Sequence, residues 1–154
     1  MNIQELRRGV ESGSRVDQSL LALCYLYGVD VQVDYQEAFR LLSLAGTSRA
    51  VANLGRMHAE GLGLPKNMAE AIRLYKAVGK SEFRAQLELG RIYSRGLGVP
   101  TDTVEALGWY SAAAAREDDD CVDDPITAAI VGSGTLEEVQ EAKAFVASTK
   151  RSLR

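Results

Sequence analysis

The chain has 154 residues, 46% of them hydrophobic, and a formal net charge of −3. That is enough apolar material for one core, which excludes a disordered polymer. The longest charge-free apolar stretch, residues 19–29, is far short of the roughly 20 residues a membrane-spanning helix needs. No apolar run follows the charged first residues as a secretory signal requires. Cys24 and Cys121 form neither a CxxC pair nor a disulfide framework. The expectation is a reduced, cytoplasmic protein without a membrane partner.

Residues 2–13 read as one amphipathic helix that covers whatever follows. From residue 17 the chain repeats. Gly28, Gly61 and Gly96 align, and with them Leu21/Leu54/Leu89, Tyr25/His58/Tyr93 and Ala38/Ala71/Ala106. A period of this length marks helix pairs that bury their apolar faces only by stacking. In the second unit Ala50, Leu54, Met57 and His58 form one stripe of a first helix. Gly61 suits a left-handed cap, and Pro65 discourages continuation. Asn67-x-x-Glu70 is a capping box that starts the second helix, and Asp34-x-x-Glu37, Asp102-x-x-Glu105 and Thr135-x-x-Glu138 are its counterparts.

The second helices carry buried stripes: Ala38/Leu41/Leu42/Ala45, Ala71/Leu74/Tyr75/Val78 and Ala106/Trp109/Tyr110/Ala113. Gly46 and Gly79 are expected to end the first two, with Ser48 and Ser81 as N-caps of the helices that follow. Residues 117–124, "EDDDCVDD", hold six acids and leave 18 bases against 15 acids elsewhere. They read as a solvated linker before a degenerate pair over 125–154, with a helix start at Asp124-Pro125 and with Val139, Ala142, Phe145 and Val146 facing inward. The expected fold is all-α, a right-handed α-α superhelix (solenoid) of helix-turn-helix repeats in one domain. Its parts are a cap (1–16), repeats over 17–48, 49–81 and 82–116, the linker, and the C-terminal capping pair.

The third unit reads Ala-x-x-x-Leu-Gly-x-x-Tyr-x-x-Gly-x-Gly-Val, then Asp102, then Ala106-x-x-Trp109-Tyr110. This phrase resembles the Sel-one-like repeat, a relative of the tetratricopeptide repeats. The second unit departs from it at His58, Leu64, Asn67 and Leu74. The first departs further, with Ala22 for the helix glycine, Asp30 for the second loop glycine and Leu41-Leu42 for Trp-Tyr.

No chemistry stands out. The GLG loops lack the GxGxxG and GK[ST] patterns of phosphate cradles. His58, the only histidine, aligns with two tyrosines and reads as a packing residue. Cys24 lies in an apolar helix and reads as core, while the aspartates around Cys121 suppress its thiolate. The acidic run lacks the EF-hand order. No cofactor, metal or catalytic set is expected.

The family resemblance implies that first helices line a concave groove. Residues off the Leu/Tyr stripe would face it: Val16, Ser19, Leu23, Leu26 and Tyr27 in the first unit; Arg49, Ala52, Arg56, Ala59 and Glu60 in the second; Arg84, Leu87, Arg91, Ser94 and Arg95 in the third. Five arginines beside Leu23 and Tyr27 suit an acidic peptide or protein patch, because guanidinium groups grip carboxylates bidentately. The alternative is solvated arginines paired with Glu60 or Glu88. Nucleic acid fits poorly with a negative chain that lacks an aromatic-interleaved basic patch. The functions that fit are a non-catalytic bacterial adaptor, an immunity protein or inhibitor of a cognate toxin, and an enzyme with an unrecognised site.

Overall fold

A computed structural model describes residues 2–115, 128, 134–152 and 154. The acidic run 117–124, Cys121 and the helix start at Asp124-Pro125 lie outside the described residues. Helices α1 (Ile3–Glu11), α2 (Arg15–Tyr27), α3 (Tyr35–Ala45), α4 (Ser48–Glu60), α5 (Met68–Val78), α6 (Phe83–Arg95), α7 (Thr103–Ala114) and α8 (Leu136–Ser152) follow in order. No strand occurs among the described residues.

The fold divides into two compact units, Met1–Leu74 and Tyr75–Arg154, with the boundary inside α5. In the first unit α2 packs on α3, α1 covers α2, and α3 packs on α4. In the second, α6 packs on α7, and α8 lies on α7 and touches α6.

The aligned residues occupy equivalent places because the local chemistry repeats. Gly28, Gly61 and Gly96 end α2, α4 and α6 with φ of 70°, 69° and 69°, a left-handed conformation only glycine adopts without steric cost. The second loop glycines repeat it, Gly63 at 73° and Gly98 at 75°. In the first unit Asp30 takes that place at 57°. Ala38, Ala71 and Ala106 are fully buried. So are Leu41, Leu42 and Ala45, which completes the α3 stripe, whereas Leu74 and Trp109 are only half-buried in theirs. On α8, Val139 and Ala142 are fully buried and Phe145 and Val146 half-buried.

The capping boxes form differently from the expectation. Asp34, Asn67 and Asp102 each accept the backbone N–H of the residue three on, at 3.0 Å. The glutamates do not return the bond. Each cap's own N–H instead donates to a carbonyl nine residues back, Asp34 to Tyr25 (3.0 Å), Asn67 to His58 (2.8 Å) and Asp102 to Tyr93 (2.9 Å). This bond ties each second helix to the last turn of the first. Glu37 and Glu70 turn to Arg40 and Arg73, and Glu105 accepts from the Trp109 indole at 3.1 Å. Only Thr135 and Glu138 make the reciprocal box, at 3.2 and 3.0 Å.

Three boundaries also differ. The N-cap of α4 is Thr47 rather than Ser48, its hydroxyl accepting from Ala50. Ser81 turns back to the Val78 carbonyl at 3.5 Å, and Glu82 occupies the cap of α6. Gly79 follows α5 without a left-handed φ; its role is space, since a Cβ there would lie 2.6 Å from the Trp109 ring.

Candidate protein-interaction face

The arginines expected on one face fall into two clusters, one in each unit, and both hold carboxylates of the chain itself. In the first unit Arg56 donates to Glu60 at 2.9 Å and to the Tyr27 hydroxyl, and its guanidinium carbon lies 5.1 Å from the Tyr27 ring centroid. The stacked, bidentate-capable guanidinium is the reason arginine rather than lysine fits this place. Arg49 is half-buried one helical stretch earlier, its carbonyl accepting from the Asn53 amide at 2.9 Å.

In the second unit the partner of the arginines is α8. Arg84 grips Glu138 through both guanidinium ends, the second contact at 3.2 Å. Arg91 donates through Nε at 3.1 Å and Nη2 at 2.7 Å to Glu141, and through Nη1 to Glu88 at 2.9 Å. Arg95 reaches the same Glu141 at 3.3 Å, and the Tyr110 hydroxyl donates to it at 3.1 Å. Glu138 and Glu141 stand three residues apart, so both fall on one side of α8.

Packing fixes that helix in place. Tyr110 and Phe145 stack with centroids 4.6 Å apart. A Cβ on Gly134 would lie 2.2 Å from a Phe83 ring carbon, so only glycine lets the segment before α8 approach α6 this closely.

The electrostatics follow from these contacts. The Arg91 hydrogen bonds hold the Glu141 carboxyl below the usual carboxylate range against partial burial. Burial pushes the Glu138 carboxyl up, but the Arg84 charge and hydrogen bond outweigh it, and the net shift is downward. Burial works against the Arg91 charge as well, and Glu141 and Glu88 override it. Burial pushes the Tyr110 phenol up.

Several residues expected on the open face are in the core. Leu23 is 1% exposed, and Ser19, Leu26, Ala52 and Leu87 are likewise buried. The Leu/Tyr stripe is too narrow a description of these helices: α2 is covered by α1 as well as α3, and α6 by α8 as well as α7. Ser19 spends its hydroxyl on Thr47 at 3.1 Å. Of the named site residues, Tyr27, Arg49, Arg56, Arg84 and Arg91 are half-buried, and Glu60 and Arg95 exposed. Glu138, Glu141 and Tyr110 complete the second cluster and were not among them. The available signal was the i, i+3 spacing of the two glutamates beside the apolar Val139 and Ala142.

Among the described residues no group of three or more His, Cys, Asp or Glu side chains could hold a metal ion. No described helix is long and apolar enough to cross a membrane. Cys24 is a buried free thiol.

Repeated helix pairs with glycine-capped loops define the class: an all-α helical-repeat protein of the solenoid type. The chain belongs to the Sel1 repeat family, whose model matches residues 17–47, 48–77 and 83–118. It is similar to a Sel1 repeat protein from Oxalobacter formigenes, with 38% identity over 73% of this chain and 87% of that one and a TM-score of 0.60. It is also similar to a protective antigen of uropathogenic Escherichia coli strains that displays an SLR fold. There the identity is 26% and the TM-score 0.69, over 97% of this chain and 33% of the antigen, so this chain spans a third of that protein's length. No curated protein matches. Sel1 repeats generally serve as protein-interaction modules.

Proposed function

We propose that this protein is a non-catalytic, cytoplasmic adaptor that binds acidic segments of other proteins through the arginine-bearing faces of its first helices. Residues 1–16 and 125–154 act as end caps for the three repeats. The observation that carries the reading is the seating of α8: Arg84, Arg91 and Arg95 already hold a helix through carboxylates three residues apart. The recognition chemistry of this face is therefore an acidic helix, and the Tyr27–Arg56–Glu60 cluster offers the same chemistry with an aromatic platform. Nucleic acid is disfavoured, because the net charge is negative.

The test uses the full chain as bait in native cell extract, in three forms: wild type, Arg56→Glu and Arg40→Glu. Arg40 lies on α3, 57% exposed and, among the described residues, paired with its neighbour Glu37. The partner should be retained by wild type and Arg40→Glu and be lost by more than about tenfold with Arg56→Glu, a charge reversal at a half-buried contact. Equal retention by all three baits counts against the reading. The strength of binding then separates adaptor from inhibitor: micromolar against nanomolar affinity differs by about 4 kcal/mol.

A further inference from the structure

We propose that the cleft beside His58 is a binding site for an aromatic ring bearing a carboxylate. This site stands apart from the arginine clusters and does not depend on the adaptor reading.

The repeats supply their own comparison. At the aligned position the first unit has Tyr25, whose hydroxyl accepts from Arg7 at 3.4 Å. The third has Tyr93, whose ring lies 5.2 Å from the Lys76 ammonium. In both, a phenol fills the place and meets a cation. The second unit has an imidazole there, shorter by the phenol's outer end, and its Nδ1 is buried without a hydrogen-bond partner among the described residues. A buried polar atom left unpaired is costly and calls for an explanation.

The same imidazole lines an open cleft of about 440 Å³. Phe39, 37% exposed, meets the imidazole edge-on at 6.3 Å, and Leu64 and Pro65 extend the apolar wall. Lys66 stands in the lining and makes no ion pair among the described residues. An apolar wall with a few convergent polar groups, at the small end of ligand-site volumes, is the usual form of a small-molecule pocket. A single aromatic ring fits against Phe39 and Pro65, and its carboxylate accepts from Lys66 and from an imidazole N–H. Glu70 is the nearby anion whose field reaches His58, and Arg73 neutralises it at 2.5 Å.

The probe is phenylacetate, titrated into the ¹⁵N-labelled full chain and followed by amide shifts. Shifts should concentrate at residues 36–39, 58, 63, 64, 66 and 67. Benzyl alcohol, which has the ring without the charge, should need at least about tenfold more for the same shifts. His58→Tyr installs the residue of the two aligned positions and should abolish the shifts while the chain stays folded. Lys66→Gln, an exposed change, should weaken binding several-fold without altering the melting temperature. The peptide Ala-Ala-Phe with a free carboxylate identifies the source: tighter than phenylacetate, the ligand is a partner's chain terminus; weaker, it is a free acid. The proposal is overturned if the shifts scatter or are absent at about 10 mM probe. It is equally overturned if benzyl alcohol binds as well, or if His58→Tyr binds like wild type.

Discussion

Replacing Glu141 by glutamine keeps the shape of the side chain and removes the charge on which Arg91, Arg95 and Tyr110 converge. Hydrogen bonds to charged groups contribute about 1.5–3 kcal/mol each. Arg95, at 59% exposed, adds little through solvent screening, and the main loss is the Arg91 fork, where the two side chains are 21% and 28% exposed. The amide keeps one acceptor, so the expected cost is about 2–3 kcal/mol. For a chain of this size that corresponds to a fall in melting temperature of roughly 4–12 °C. It appears as an earlier transition if α8 detaches before the rest. A double-mutant cycle with Arg91→Gln should return a coupling of about 1–3 kcal/mol. The effect also has a pH signature. The folded carboxyls of Glu138 and Glu141 lie below their unfolded value, so their contribution is complete above about pH 4.3 and is lost as pH falls through the lower folded values. Wild-type and Glu141→Gln melting curves should therefore converge in acid. Glu141→Gln melting within a degree of wild type at pH 7 and low salt would refute the docking.

Other substitutions probe the repeat geometry, each read by thermal or urea unfolding. Gly108 sits inside α7 with nothing within 4 Å of an added Cβ, so Gly108→Ala should stabilise by about 0.5–1 kcal/mol. Gly63→Ala should destabilise by about 1–3 kcal/mol, because φ is 73° and the new Cβ would lie 2.5 Å from that of Tyr35. Asp30→Gly should stabilise by about 0.5–1 kcal/mol by relieving the only non-glycine residue with positive φ among those described. Thr135→Ala should cost about 1 kcal/mol, since it removes the hydroxyl that accepts the Glu138 N–H, while the residue's own backbone N–H still donates to the Glu138 carboxylate.

The features legible in the sequence were those set by local chemistry. Gly28, Gly61 and Gly96 announce left-handed helix ends because only glycine is at ease there. The fully buried Ala38, Ala71 and Ala106 announce close helix approach by recurring at the repeat spacing. Local signals failed where two residues compete for one role. Thr47 and Ser48 are both good caps, and backbone geometry chose the first. The returning half of three capping boxes was lost to the carbonyls of Tyr25, His58 and Tyr93, a bond across the loop that no periodicity exposes. Leu23 and Leu87 were misplaced because a helix covered on two sides buries more than one stripe. The pairing of Arg84 with Glu138 and Arg91 with Glu141 spans 54 and 50 residues, and depends on where α8 returns to the fold. Phe83 and Gly134 fix that return, and nothing in the residues between them signals it.

The central claim, that the protein takes acidic partners through its arginine faces, is tested most directly by the salt dependence of partner affinity. The purified partner should be titrated against the full chain between about 50 and 300 mM salt, where the screening length falls from roughly 14 to 6 Å. The expected result is affinity that weakens by at least about tenfold over this range, with Arg56→Glu both weaker at every point and less sensitive to salt. Affinity that is flat across the range, or an Arg56→Glu curve that overlies the wild type, would contradict it.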